Sequence, residues 1–336
     1  MRLAIVLLAG GLLLRSADPR GPADGDEAPP LPARHSPLGL PELPPAPPDE
    51  ERLAALGRRL FFDPLLSSDR TRSCASCHDP AHGFADAEPL SEGVQGRRTT
   101  RNTPSVINRS LGRSFFWDGR AATLEEQVLM PIENPLEMDL DLDALLERLS
   151  AAPDYADDFP GGPTRAGLAK ALAAYVRRLT LGDSPVDRFR AGAVDALTDA
   201  ERAGLWFYES RGGCWRCHGG PNFTDEAFHN TGVGAVDGVP EEGRAGVTGL
   251  EADRGAFKTP TLRGVGRTAP YMHDGSLADL AGVVAFYRGG GRPNTHLDER
   301  LAPIEMSDED AANLVAFLEA LSRAGEELPG IDRQRR

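Results

Sequence analysis

The chain lacks several features that define other classes of protein. It has only four cysteines in 336 residues, too few for a disulfide framework in a chain of this size. Lysine is confined to Lys170 and Lys258, so no ring of lysines can serve as a docking patch. A formal net charge of −14 at pH 7 leaves no nucleic-acid footprint; it suits a basic docking partner and, equally, simple solubility. No run of alternating apolar and polar residues reads as a convincing strand. The remaining composition, 40% hydrophobic and 26% charged, is that of a globular protein with length for two domains.

All the cysteines fall in two copies of one pattern. Cys74-Ala75-Ser76-Cys77-His78 is a C-x-x-C-H, and Cys214-Trp215-Arg216-Cys217-His218 is another. Two thiols at this spacing can add to the two vinyl groups of one haem, and the adjacent imidazole then reaches the iron from one face. A redox C-x-x-C disulfide or a four-thiolate zinc site would use the same cysteines, but neither needs a histidine directly after the second one. The pattern therefore predicts two covalently bound haem c groups.

At the N-terminus, Met1-Arg2 precedes an apolar run from Leu3 to Leu14, a short secretory h-region. Arg15-Ser16-Ala17 makes a poor cleavage site, so residues 1–17 read as an export signal or an uncleaved anchor. Export fits covalent haem, which in bacteria is attached outside the cytoplasm, and points to the periplasm. Residues 18–49 are rich in proline and read as an extended linker between signal and body.

The body reads as helices joined by long loops. Asp49 can cap a helix carrying Leu53, Leu56 and Leu60; Thr123 and Thr198 open capping boxes closed by Glu126 and Glu201. Leu168, Leu172, Tyr175 and Leu179 mark another amphipathic helix, and Leu314, Phe317, Leu318 and Leu321 a last one behind Ser307. Both halves place a helix before the C-x-x-C-H and follow its histidine with Phe-x-Asp, Phe84-Ala85-Asp86 and Phe223-Thr224-Asp225. The fold class is thus mostly α, with two cytochrome-c-like haem domains at 50–183 and 184–325, divided near Gly182-Asp183-Ser184-Pro185, and a tail at 326–336.

From about Leu60 to Leu321 the sequence resembles the bacterial dihaem cytochrome c peroxidases and their relative MauG. The resemblance rests on Leu60-Phe61-Phe62-Asp63-Pro64, Arg101-Asn102-Thr103-Pro104-Ser105, Phe116-Trp117-Asp118-Gly119-Arg120, Glu137-Met138, Thr259-Pro260-Thr261-Leu262-Arg263 and Ala269-Pro270-Tyr271-Met272-His273-Asp274-Gly275, in order. It implies reduction of hydrogen peroxide at the N-terminal haem and electron entry or storage at the C-terminal one.

The distal residues then distinguish the two haems. A peroxidatic iron needs one open position, whereas an electron-transfer iron is filled on both faces. Many family members carry a removable distal histidine in the loop after the first motif; here Val94 stands at that place, with His82 a poorly placed rival. By family position Glu137 is the acid–base residue of the peroxide pocket, lined by Gln127 and Pro131, although Glu137 alone would read as a solvated loop acid. For the second haem the resemblance places Tyr287 at the distal position, where MauG also has tyrosine and peroxidases offer methionine. Tyr287 also continues the helical stripe of Leu277, Leu280 and Val284, the pattern of a core residue, and Met272 is the alternative ligand. Trp117 lies, by resemblance, between the haems, and is equally readable as a packed core residue. Asn102 with the carbonyls of Thr268 and Pro270 matches the family's calcium site.

Three functions follow for test. The first is a peroxidase drawing electrons from a small cytochrome c or cupredoxin; the second is a MauG-like oxidase that modifies a protein substrate. The third is a non-catalytic electron carrier, against which Val94 and Glu137 argue. The family also admits a homodimer.

Overall fold

The computed structural model describes residues 29–43 and 45–323. The export signal and the tail at 326–336 lie outside the described residues. The described chain is mostly helical: α1 (Glu50–Phe62), α2 (Leu124–Gln127), α3 (Met130–Glu133), α4 (Leu142–Ala151), α5 (Arg165–Arg178), α6 (Pro185–Arg190), α7 (Asp199–Glu209), α8 (Ala245–Thr248), α9 (Leu280–Arg288) and α10 (Asp308–Ala320). The strand content is one antiparallel pair, β1 (Phe228–Asn230) and β2 (Ala256–Lys258), in register Phe228 to Lys258. No helix among the described residues is long and apolar enough to cross a membrane.

The start signals act where the sequence places them, with one exception. Thr123, Thr198 and Ser307 each close a capping box with the residue three positions on. Asp49 sits at the N-cap of α1 but its side chain makes no capping bond.

Buried apolar residues form two clusters, one drawn from residues 56–181 and the other from 186–321. Each is built on the same helix crossing. In the first, α1 approaches α5 so closely that a Cβ on Gly57 would lie 1.8 Å from the Ala171 carbonyl oxygen. In the second, a Cβ on Gly204 of α7 would lie 2.0 Å from the Asn313 carbonyl oxygen of α10. Four residues beyond each of these positions the aromatics meet: Phe61 on Tyr175 at 5.1 Å, and Tyr208 on Phe317 at 4.8 Å. The glycines permit the approach, the rings fill the next turn, and a C-x-x-C-H loop follows each first helix.

The described part of the proline-rich segment touches the body. It has no regular secondary structure, yet it is seated on the body. The Pro32 carbonyl accepts from Arg178, which also holds Glu50 with two bonds of 2.6 Å. The Leu38 carbonyl accepts from Asp183 N at 2.7 Å, and the Gly39 carbonyl from Arg263, itself paired with Asp187. Because proline presents a free carbonyl and fixed φ, an extended run of this kind can be pinned by buried arginines.

A buried ion network joins the two clusters. Arg109 holds Glu226 with bonds of 2.8 and 3.1 Å, and Lys258 Nζ lies 3.8 Å from the same carboxylate. Burial pushes the Lys258 ammonium down to about 7, with Arg109 adding to the effect and Glu226 opposing it. Glu226→Gln leaves the buried Arg109 guanidinium facing a neutral amide, so equilibrium denaturation of the variant is expected to show a loss of about 3–5 kcal/mol.

Candidate functional site

The two C-x-x-C-H loops have the same local geometry. Each motif begins with a turn of 3-10 helix, and the histidine amide donates to the first cysteine's carbonyl at 2.9 Å in both. His78 Nδ1 lies 3.1 Å from the Phe84 carbonyl, and His218 Nδ1 lies 3.2 Å from that of Phe223. A carbonyl only accepts, so each Nδ1 carries the proton and each Nε2 keeps its lone pair. Burial pushes both imidazoles below their ordinary pKa, which keeps them neutral. Phe84 and Phe223 adopt left-handed φ values of 57° and 50°, a strained conformation for aromatics that turns their carbonyls toward the histidines.

The cysteines fit haem better than the alternatives. All four are unpaired, and burial pushes Cys74 up to about 12 and Cys77 and Cys214 up to about 11, so they are held as thiols. They do not converge on one metal. Among the described residues the grouping of ligating side chains within 4.8 Å is Cys217, Asp225 and His229, which excludes a four-cysteine zinc site.

Beside the first motif, Val94 and Glu137 are brought together from distant parts of the chain. Val94 is fully buried and its amide donates to the Glu137 carbonyl at 2.9 Å. Gly93 permits this, since a Cβ there would lie 2.1 Å from the Leu136 carbonyl oxygen. Glu137 lines a cavity of about 310 Å³ with Phe116, Arg120, Pro131 and Asn134. Asn134 Nδ2 donates to its carboxylate at 2.6 Å, yet burial dominates and raises the Glu137 pKa. The carboxylate is near enough to Cys74 and Cys77 to oppose ionisation of both thiols, which places it in the neighbourhood of the first motif. Gln127 ends α2 half-buried and is not among the residues lining this cavity. His82 is turned to Asp79, with Nδ1 2.8 Å from its carboxylate.

Beside the second motif stands Tyr287, on the last turn of α9. Its hydroxyl makes no hydrogen bond among the described residues, although burial, with Cys217 and Cys214 beside it, holds its pKa well above the ordinary range. Tyr155, Tyr208 and Tyr271 each donate to an oxygen, whereas the Tyr175 hydroxyl, like that of Tyr287, has no such bond among the described residues. A phenol without a hydrogen-bond partner, close enough to the second pair of cysteines to feel their charge, is free to take an axial role. Both motifs therefore fit covalent haem, each offering two thiols and a neutral histidine with its Nε2 lone pair free. Met272 lies in a turn with φ 74°.

A pair of related hairpins, one from each half of the chain, meets here. Phe115 bridges to Ala121, and Tyr271 to Leu277, and each hairpin holds a left-handed residue at its second position, Phe116 and Met272. Trp117 and His273 are thus counterparts, and their rings meet edge to face at 6.4 Å. The halves cross over here. Asn102 N donates to the His273 carbonyl at 2.8 Å, and Lys258 N donates to the Trp117 carbonyl at 2.8 Å. Half-buried Trp117 also donates from Nε1 to the Asn102 carbonyl at 2.8 Å. Asn102 is buried, its amide 3.2 Å from the carbonyls of Glu88 and Pro89; Thr268 caps a short turn and Pro270 follows a cis peptide. Among the described residues no hydrogen bond joins Asn102 to Thr268 or Pro270.

Reading from the sequence missed His229. It is buried on β1, with Nδ1 2.6 Å from Asp298 and Nε2 3.0 Å from Asp225. Its position six residues after Phe223 was visible, but its partner Asp298 lies 69 residues away and no spacing rule joins them.

Residues 51–195 match the family model described as di-haem cytochrome c peroxidase. The methylamine utilization protein MauG of Methylorubrum extorquens is 40% identical over 273 residues, covering 80% of this chain and 77% of that protein. The cytochrome c551 peroxidase of Pseudomonas aeruginosa is 35% identical over 336 residues, covering 96% of this chain and 93% of that protein. A solved MauG-like protein associated with microbial copper homeostasis superposes with a TM-score of 0.76 at 32% identity, over 84% of this chain and 94% of that one.

Proposed function

Because the chain belongs to the di-haem cytochrome c peroxidase and MauG family, an oxidoreductase family that implies two c-type haems, we propose that it is a periplasmic enzyme reducing hydrogen peroxide to water at the centre held in residues 50–183. Electrons reach that centre through the one held in residues 184–325, from a small redox protein. The observation that carries this reading is the pairing of Val94 with Glu137: an apolar residue where a displaceable ligand would stand, against a carboxylate of raised pKa facing a cavity.

Cys74, Cys77 and His78 would hold the first haem, and Cys214, Cys217, His218 and Tyr287 the second. When bound, haem supplies a one-electron iron couple at each centre and the site of peroxide reduction at the first. Glu137 takes the proton from the near oxygen of peroxide and delivers it to the leaving oxygen, so that two electrons and two further protons yield two waters. Asn134 orients the carboxylate through its 2.6 Å bond. Trp117, fixed by Asn102 and in contact with His273, is the side chain placed to pass an oxidising equivalent between centres. Asn102 with the Thr268 and Pro270 carbonyls would hold calcium, an ion that takes oxygen ligands.

Tyr287 favours a second reading, MauG-like oxidation of a protein substrate. A phenolate stabilises oxidised iron and suits storage of oxidising equivalents better than acceptance of electrons. Exposed Trp206 and Trp215, at 58% and 50%, lie on α7 and in the second attachment loop, and support a protein partner at this end.

Steady-state assay with reduced cytochrome c separates the two. Peroxide-dependent oxidation at about 1–10³ s⁻¹ is expected of the first reading. Peroxide consumption that requires a protein substrate, with no cytochrome oxidation, would transfer the assignment to the second. Failure of carbon monoxide to bind either reduced haem would sink both and leave an electron carrier.

A further inference from the structure

The hairpins of Trp117 and His273 share a turn but not the residue that closes it. In the first, Asp118 Oδ1 accepts from the Arg120 amide at 3.2 Å; in the second, Asp274 Oδ1 accepts from the Ser276 amide at 3.0 Å. Between these partners each turn carries a left-handed glycine, Gly119 at φ 69° and Gly275 at φ 67°, and each ends on a bridge, Phe115 to Ala121 and Tyr271 to Leu277. A serine therefore suffices to build this turn. The arginine of the first hairpin needs another reason, and its side chain lines the cavity of Glu137.

Packing and pairing fix that side chain. The Arg120 guanidinium lies over the Phe116 ring at 3.5 Å, and Nη1 donates to both Asp118 oxygens at 3.0 Å. Its Nε and Nη2 make no hydrogen bond among the described residues. Asp118 is also held by Arg101 at 2.7 Å, so one carboxylate faces two guanidinium groups and a positive charge is left over. Burial works against the Asp118 carboxyl, but Arg120 and Arg101 outweigh it and hold its pKa below the ordinary range, which keeps the anchor ionised. Arg244, bonded to the Asp118 and Gly119 carbonyls at 2.9 Å, adds further positive charge to the hairpin. Among the described residues lining the cavity, Arg120 is the only cation, and Glu133 and Glu137 are the carboxylates. Burial raises the Glu137 pKa, and Asn134 and Arg120 oppose it.

Breaking the O–O bond of peroxide puts negative charge on the departing oxygen, and a cation already fixed in the pocket stabilises that charge without reorganising. We propose that Arg120 is a second catalytic residue of the first centre, whose unbonded guanidinium edge receives the departing oxygen of peroxide while Glu137 moves the proton. The near oxygen gives its proton to Glu137, and the O–O bond breaks with its electron pair on the far oxygen. The far oxygen takes the proton from Glu137 and leaves as water; two electrons from the donor and two further protons complete the second water. The inference rests on the reading of Glu137 as the acid–base residue.

Arg120→Gln and Arg120→Lys in the holoprotein test it, with Glu137→Gln as reference. Arg120→Gln removes the charge while Asp118 keeps Arg101 and the backbone amide, so the turn persists. Its kcat/KM for peroxide is expected to fall about 10²–10³-fold at wild-type haem content. Arg120→Lys keeps the charge but not the planar fork, and a loss of about tenfold is expected. A readout independent of turnover is the infrared band of the protonated Glu137 carboxyl, identified by its loss in Glu137→Gln. Its titration midpoint should rise in Arg120→Gln, where the cation opposing burial is gone, and stay in place in Arg120→Lys. A kcat/KM within about threefold of wild type in Arg120→Gln, or a midpoint that does not rise, would overturn the proposal. Activity lost only in proportion to haem lost, in both variants, would make Arg120 a haem-propionate partner and overturn it as well. Should Arg120→Gln bind haem poorly, Arg120→Lys decides at full haem occupancy, where a loss below about twofold counts against the proposal. The acid–base reading is judged separately: unchanged turnover in Glu137→Gln removes Glu137, while a loss in Arg120→Gln would still support the part played by the guanidinium.

Discussion

Glu137→Gln lowers peroxide turnover by about 10²–10⁴-fold while both haem spectra keep their wild-type form. The amide keeps the shape of the carboxyl and can still meet Asn134, so the cavity and the Val94 contact persist; what is lost is a group able to accept a proton. The pH profile gives an independent check. Burial raises the Glu137 pKa, so its basic form is lost as pH falls through a value above the ordinary carboxylate range. The wild-type kcat/KM should therefore fall on the acid side of neutrality through that pKa, and the limb should be missing from the residual activity of Glu137→Gln. Unchanged turnover in the variant would remove Glu137 from the mechanism.

Tyr287→Met is expected to raise the second haem's potential by on the order of 100 mV or more, within the roughly 0.8 V that axial ligands command. The sign follows from charge. A phenolate stabilises the oxidised iron, a thioether does not, and the burial that holds the tyrosine's pKa high in the free protein makes an iron partner the natural stabiliser of its anion. The variant should oxidise reduced cytochrome c faster and lose any oxidation of a protein substrate. A potential unchanged by the substitution would mean that Tyr287 is the core residue its helical stripe also suggests, and that the second centre is closed by another group.

What the sequence disclosed divides by distance along the chain. Local signals carried well: the capping boxes at Thr123 and Thr198 and the helix start at Ser307 formed because hydroxyl, carboxylate and amide lie within one turn. The Phe-x-Asp repeat was legible as spelling, but its purpose was not. Only in the folded chain do Phe84 and Phe223 take left-handed φ and bring a carbonyl to Nδ1 of a histidine. The hairpins of Trp117 and His273 share little sequence beyond Asp-Gly, so their equivalence emerged from bridges and backbone angles. The contacts of the proline-rich segment were not legible, because composition reports a lack of apolar side chains and its attachment is through carbonyls to Arg178 and Arg263. His229 escaped for a similar reason, its two carboxylates lying on segments that only folding brings together.

The two C-x-x-C-H motifs entered as equals, and the residues facing them make them different. Val94 and Glu137 face one, while Tyr287 and the His229 cluster attend the other. Low-temperature electron paramagnetic resonance of the fully oxidised holoprotein reads that difference directly. The expected spectrum combines a high-spin haem with His78 as its one protein axial ligand and a second haem bound by His218 and the Tyr287 oxygen. Two low-spin haems, the first with two histidine ligands, would contradict it.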